Sequence, residues 1–139
     1  MTTTKTSGLG WTTLTVQDAS GTAQDIRTDN TNLSFSTPRG VQDITGIDKS
    51  AHERLLLLAD FSIELDGVFD PGANMAHDVF KTVSSTSVIR QVVIAVAGAD
   101  LTVNCLFSDY AITRAAAGEL TWKAPGALAD GTVPTWTGA

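Results

Sequence analysis

From Phe61 to Asp66 the chain alternates strictly, with Phe61, Ile63 and Leu65 set against Ser62, Glu64 and Asp66. A period of two suits a strand with one buried and one wet face, because successive side chains on a strand point to opposite sides. The carboxylates Glu64 and Asp66 therefore share the solvent side. The same period recurs in Leu101, Val103, Cys105 and Phe107, and 20 Thr with many Val and Ile favour pleated, half-buried surfaces. A mainly β domain is expected.

The remaining punctuation fills in an order of elements. Trp11 to Val16 and Ala23 to Thr28 read as an N-terminal hairpin around Asp18-Ala-Ser-Gly21. Leu33 to Thr37 is a short strand stopped by Pro38-Arg-Gly40, and Val41 to Ile47 is extended up to a Gly-Ile-Asp corner. A long flap loop is expected over about 38–57. Within it, Ser50-Ala-His-Glu53 fits a capping box and predicts a short helical turn over 51–56, with Leu55 to Leu58 as an apolar anchor. After the strand through Phe61 and Leu65, Phe69-Asp-Pro-Gly72 is a break. Asn74 then caps a helix over about 74–83, whose stripe is Met75, Ala76, Val79, Phe80 and Val83. Val88 to Ala97 reads as a buried strand, Leu101 to Thr113 as its return, and Glu119 to Lys123 as a third strand, with Pro125 ending the regular part. The whole is a β-sandwich or half-barrel of antiparallel strands with one flanking α-helix. It is read as a single domain over 1–139, with arms at 1–10 and 126–139.

Composition excludes several classes of function. One Cys cannot close an internal disulfide, and two His apart from any other ligand make no Cys/His metal framework. A net charge of −6 speaks against gripping nucleic acid by phosphate neutralisation, though not against letting DNA pass by. The N-terminal stretch reads as neither a secretory signal nor a transit peptide, which points to the cytosol. The longest apolar run, from Val92, is far short of the ~20 residues of a membrane-spanning helix. Asn32-Leu-Ser34 matches a glycosylation sequon and carries no weight without export.

No candidate residue assembles into catalytic machinery. His52 and His77 lack a partner at i+3 or i+4, and Cys105 sits among alternating core positions. There is no Gly-x-Ser-x-Gly elbow and no glycine-rich phosphate cradle. Asp66, Asp70 and Asp78 surround a Pro-Gly turn without the calcium-loop pattern. Glu64 and Asp66 point the same way rather than flanking a substrate. No enzyme, cofactor or metal is expected. Trp11, Trp122 and Trp136 suit core packing and interface anchoring, or a sugar-stacking platform on a carbohydrate- or receptor-binding module.

The stretch from 41 to 70, VQDITGIDKSAHERLLLLADFSIELDGVFD, resembles the signature of the major tail proteins, or tail tube proteins, of long-tailed bacteriophages. The positions that carry the likeness are Asp43, Thr45, Gly46, Ser50, Ala51, Glu53, Arg54, Gly67, Phe69 and Asp70. Glu119-Leu-Thr-Trp122 and Asp130-Gly-Thr-Val-Pro-Thr-Trp136 look like the closing strand and tail of such proteins.

The resemblance implies a β-sandwich or half-barrel with a flanking helix. Six copies would form a ring, and rings would stack into a hollow tube through which DNA is ejected. Ring contacts would fall on the flap and termini, over Thr2 to Trp11, Pro38 to Asp48 and Thr132 to Trp136. The interface candidates are Trp11, Pro38, Arg39, Asp43, Thr45, Asp48, Trp122 and Trp136. Glu64 and Asp66 are candidates to line the lumen, where carboxylates would repel phosphates; an ordinary solvated outer face is the alternative. Implied partners are further copies of the chain, with tape measure, terminator and tail-tip proteins, while double-stranded DNA passes without specific binding. The implied location is a virion tail assembled in the host cytoplasm. The inner tube of a contractile injection machine or a gene-transfer particle uses the same principle. The decoration domain of larger members has no counterpart in this length.

Overall fold

A computed structural model describes residues 5–138. A 3₁₀ turn at Gly8–Gly10 leads into β1 (Trp11–Gln17), followed by β2 (Ala23–Asp25), β3 (Asn30–Ser36), β4 (Arg39–Asp43), β5 (Arg54–Ala59) and β6 (Ser62–Val68). After α1 (Ala76–Phe80) come β7 (Arg90–Val96), β8 (Ala99–Phe107), β9 (Ala111–Arg114), β10 (Leu120–Leu128) and β11 (Trp136–Gly138). The first arm's residues 1–4 and the last arm's Ala139 lie outside the described residues.

The main sheet is antiparallel and runs β2-β1-β7-β8-β10-β6-β3, with β11 on β8 and β9 on β10. Its end strands β2 and β3 are joined by only the turn 26–29, so the sheet curls back towards itself without closing into a barrel. The expected half-barrel is therefore the fold. Register puts Leu14 and Val16 of β1, Val92 and Ile94 of β7, Leu101 and Val103 of β8, Ala124 of β10 and Ile63 and Leu65 of β6 on the concave side, all buried.

One open end is stoppered by α1, whose Ala76, Val79 and Phe80 are fully buried. The Phe80 ring meets Phe107 edge-on at 5.1 Å and Trp122 at 5.4 Å. The helix is shorter than the expected 74–83, and its capping is reversed. Met75 is the N-cap and offers no side-chain bond, while the Asn74 N–H donates to Asp78 and the Ala76 N–H donates to Asp29 at 2.9 Å. Thr82 to Thr86 continue as turns.

Three further expectations are corrected. The flap is a two-stranded sheet, β4 against β5, and 51–56 holds no helix. Glu53 gives its N–H to Thr45 Oγ1 and its carbonyl to the Ile44 N–H, and Leu55 to Leu58 lack the polar positions an exposed helix face would need, so strand pairing wins. The return after β7 breaks at 108–110 into β8 and β9. Finally, β10 runs straight through Pro125. In a strand the N–H and C=O of one residue point the same way. The Pro125 carbonyl accepts from the Ser108 N–H, so the missing N–H lies where the neighbour of β10 changes from β9 to β8.

Candidate assembly surfaces

The β4–β5 hairpin stands off the main sheet, held at its base by the Asp60 N–H on the Pro38 carbonyl at 3.0 Å and by Arg39 Nε on the Leu57 carbonyl at 2.9 Å. Polar ties set its tip. Asp43 accepts the hydroxyl and the N–H of Thr45 and pairs with His52 at 3.2 Å, and those bonds, the Thr45 hydroxyl foremost, hold its carboxyl below the usual range. Lys49 lies 3.7 Å from Asp48 and 3.9 Å from Glu53. Around this polar frame the apolar groups face water: Ile44 and Ile47 at the tip, and Val41 and Leu55 to Leu58 along the ribbon. An open hollow of 640 Å³ lies between β5 and Val133. Contiguous exposed apolar surface of this kind marks an interaction site.

Five of the sequence candidates, Pro38, Arg39, Asp43, Thr45 and Asp48, thus gather on one hairpin. The three tryptophans separate. Trp136 pairs with Leu101, its ring 5.9 Å from Phe35, and remains 47% exposed. Trp11 lies half-buried beside the seam between β1 and β3, and its indole N–H has no hydrogen-bond partner among the described residues. Trp122 is buried, donating to the Val68 carbonyl at 3.0 Å, so in the single chain it is a core group rather than an exposed anchor. The exposed leucines of β5 were missed as surface groups; their unbroken apolar run, too short for a core helix, was the available signal.

Glu64 and Asp66 do share the face of β6 turned away from the core. Ser34 and Asn32 lie opposite them on β3, and Pro125 and Lys123 on β10. Glu64 forms an ion pair with Lys123, so one of the two carboxylates is already matched by a cation.

Three further titratable groups, His77, Cys105 and Arg90, have structural settings. His77 bonds the Tyr110 hydroxyl at 3.1 Å and packs against Phe69 with the ring centroids 4.8 Å apart and the planes tilted by 58°. Burial pushes the Cys105 thiol up to about 12, which makes it a poor nucleophile. Buried Arg90 binds the Gln17 carbonyl and the Thr82 hydroxyl. Among the described residues no three metal-ligating side chains converge, and no helix is long and apolar enough to cross a membrane.

No protein-family model and no curated protein matches the chain. Solved structures do. A chain from the virion of a native gene transfer agent particle superposes with a TM-score of 0.69 at 15% identity, covering 96% of this chain and 99% of the other. A chain from the tail of an empty gene transfer agent particle, refined helically with C6 symmetry, superposes with a TM-score of 0.71 at 16% identity, covering 97% and 99%. At such identities the likeness is one of fold, and it runs end to end.

Proposed function

We propose that this chain is a tail tube subunit of a phage or of a phage-like gene transfer particle. Six copies close a ring, rings stack, and the tube conducts DNA into the recipient cell while performing no reaction of its own. The observation that carries this reading is the end-to-end match in fold to a chain of a C6-symmetric tail. The hairpin supports it, since a half-barrel that exposes Val41, Ile47 and four leucines off its core needs other protein surfaces to cover them. The chain then resides in the virion tail after assembly in the host cytoplasm. It meets tape measure, terminator and tail-tip proteins at the ends of the tube, and DNA passes without specific contacts. Pro38, Arg39, Asp43, Thr45, Asp48, Trp11 and Trp136 act at contacts between copies, and Glu64 and Asp66 face the lumen. A sugar-binding platform built on all three tryptophans loses Trp122 to the core.

Negative-stain microscopy of the purified chain tests the reading. Hollow tubes or stacked six-fold rings are expected. A chain that stays monomeric at high concentration and is retained on a glycan column would replace it with the binding-module reading.

A further inference from the structure

The face of β6 turned from the core continues onto both of its neighbours. Asn32 of β3 and Lys123 of β10 stand directly opposite Asp66, Ser34 and Pro125 opposite Glu64, and Ser36 and Ala127 opposite Ser62. The strands β3, β6 and β10 together carry three charged side chains, Glu64, Asp66 and Lys123, and all three lie on this face. Pro125 offers Glu64 no partner, so Glu64 reaches diagonally to the Lys123 ammonium, as side chains two positions out of register on a sheet can. Lys123 thus stands between two carboxylates, one paired with it and one opposite it, and its side chain is still 56% exposed.

A wall of carboxylates alone repels DNA from a bore, and a row of unpaired lysines holds it there. We infer that Lys123 is the side chain through which the wall meets the phosphodiester backbone of passing double-stranded DNA, its ammonium exchanging between the carboxylates and a phosphate oxygen. This rests on the tube reading and on the placement of Glu64 and Asp66 in the lumen. An ion pair as exposed as Glu64 with Lys123 contributes little and opens readily, so a phosphate brought close by the bore competes for the ammonium. Glu64 and Asp66 take it back as the phosphate moves on. The contact reads no sequence, because phosphates carry none. The surrounding Asn32, Ser34, Ser36, Ser62 and Pro125 are uncharged and add no rival partner of either sign.

In the experiment, tubes are assembled around a short linear DNA duplex, and the amount of duplex they shield from nuclease is measured at rising salt. Glu64→Gln/Lys123→Met removes one charge of each sign, so the net charge of the face stays that of the parent. At low salt it is expected to shield at least about fivefold less duplex than the parent, while Lys123→Arg shields as much as the parent. Glu64→Gln/Asp66→Asn frees the ammonium and is expected to shield at least about tenfold more, up to higher salt. Equal shielding by the parent and the charge-matched variant would mean that net charge alone governs the wall, and the inference fails. A Lys123→Arg chain that behaves like the methionine variant overturns it as well. Microscopy checks each chain for tubes, and Lys123→Gln replaces Lys123→Met where the methionine blocks assembly. If neither assembles, Lys123 serves a contact between copies and the inference fails. A reconstruction that puts Lys123 on the outer wall overturns the lumen placement and this inference, and leaves the tube standing. A parent that forms no tubes overturns the tube reading itself, and this inference with it.

Discussion

The Asp29 carboxylate accepts the main-chain N–H of Ala76 at 2.9 Å, which ties the turn between β2 and β3 to the first residue of α1. Burial holds the Asp29 carboxyl above its ordinary range, the Ala76 N–H pulls it the other way, and the neighbouring Asp70 carboxyl pushes it up again. A carboxyl raised on folding contributes stability that is fully present below its unfolded value, about 4, and is lost as pH rises through the folded value. Asp29→Asn keeps an oxygen for Ala76 and removes the titration. Its melting temperature, relative to the parent's, is expected to rise between pH 4 and pH 7, by a few degrees for about 1 kcal/mol. A difference that stays constant across that range would show that Asp29 does not titrate against the fold.

Gly67 sits where no side chain fits. A Cβ there would lie 1.9 Å from the Asp29 carbonyl and 2.7 Å from the Trp122 indole nitrogen, one of them backbone and the other a buried ring. Gly67→Ala should therefore cost about 3 kcal/mol or more, the severe end for overpacking. Denaturant unfolding measures it directly, and a cost below about 1 kcal/mol would mean that β6 and the 26–29 turn can shift apart.

These two residues mark the limit of what local patterns convey. The period of two made β6 and β8 legible, because one wet and one dry face is a local property of a strand. That Asp29 caps a helix 47 residues later has no local signal. Nor does the Glu64 pair with Lys123, since cross-strand register is set by how distant strands meet. The Ser50 to Glu53 capping box shows a local rule overruled. Its residues match a helix start, yet Thr45 and Val41 to Asp43 offer the segment a strand partner. Trp122 was legible in part, for Trp122 and Ala124 alternate with exposed neighbours as core strand positions do. The hairpin residues of the candidate site came from resemblance, and no pattern of their own would have selected them.

The turn between β7 and β8 places Ala97 at φ 50° and Gly98 at φ 89°, with Val96 opposite Ala99. Positive φ at both central positions is the demand of a type I′ hairpin turn, which favours Asn or Gly where Ala97 stands. Ala97→Asn and Ala97→Gly are each expected to stabilise the fold by about 0.5–1 kcal/mol. Thermal unfolding reads the gain, and a lowered melting temperature for both would argue that the Ala97 methyl makes a contact worth more than its strain.

The two tryptophans of the C-terminal third should behave differently. Trp122→Ala removes a buried ring and its bond to Val68, and is expected to cost about 3–5 kcal/mol. Trp136→Ala, on a short strand and half-exposed, should cost under about 1.5 kcal/mol. If Trp136 also anchors contacts between copies, its variant folds yet assembles poorly. Unfolding curves alongside sedimentation separate the two effects, and equal losses of stability would place Trp136 in the core despite its exposure.

Placing Glu64 and Asp66 in the lumen makes a charge prediction. The face they share carries Lys123 as well, so its acidity is partly offset by the Glu64 pair, and an exposed pair of that kind contributes about 0–1 kcal/mol to folding. Glu64→Lys with Asp66→Lys should accordingly leave the fold and the tubes intact. It turns a face with two carboxylates and one cation into one with three cations, which can neutralise phosphates on passing DNA and slow its transit. Variant tubes are expected to retain double-stranded DNA at low salt and release it as salt rises, and particles built from them should deliver less DNA. Retention no greater than the parent's, together with unchanged delivery, would move both residues to the outside of the tube.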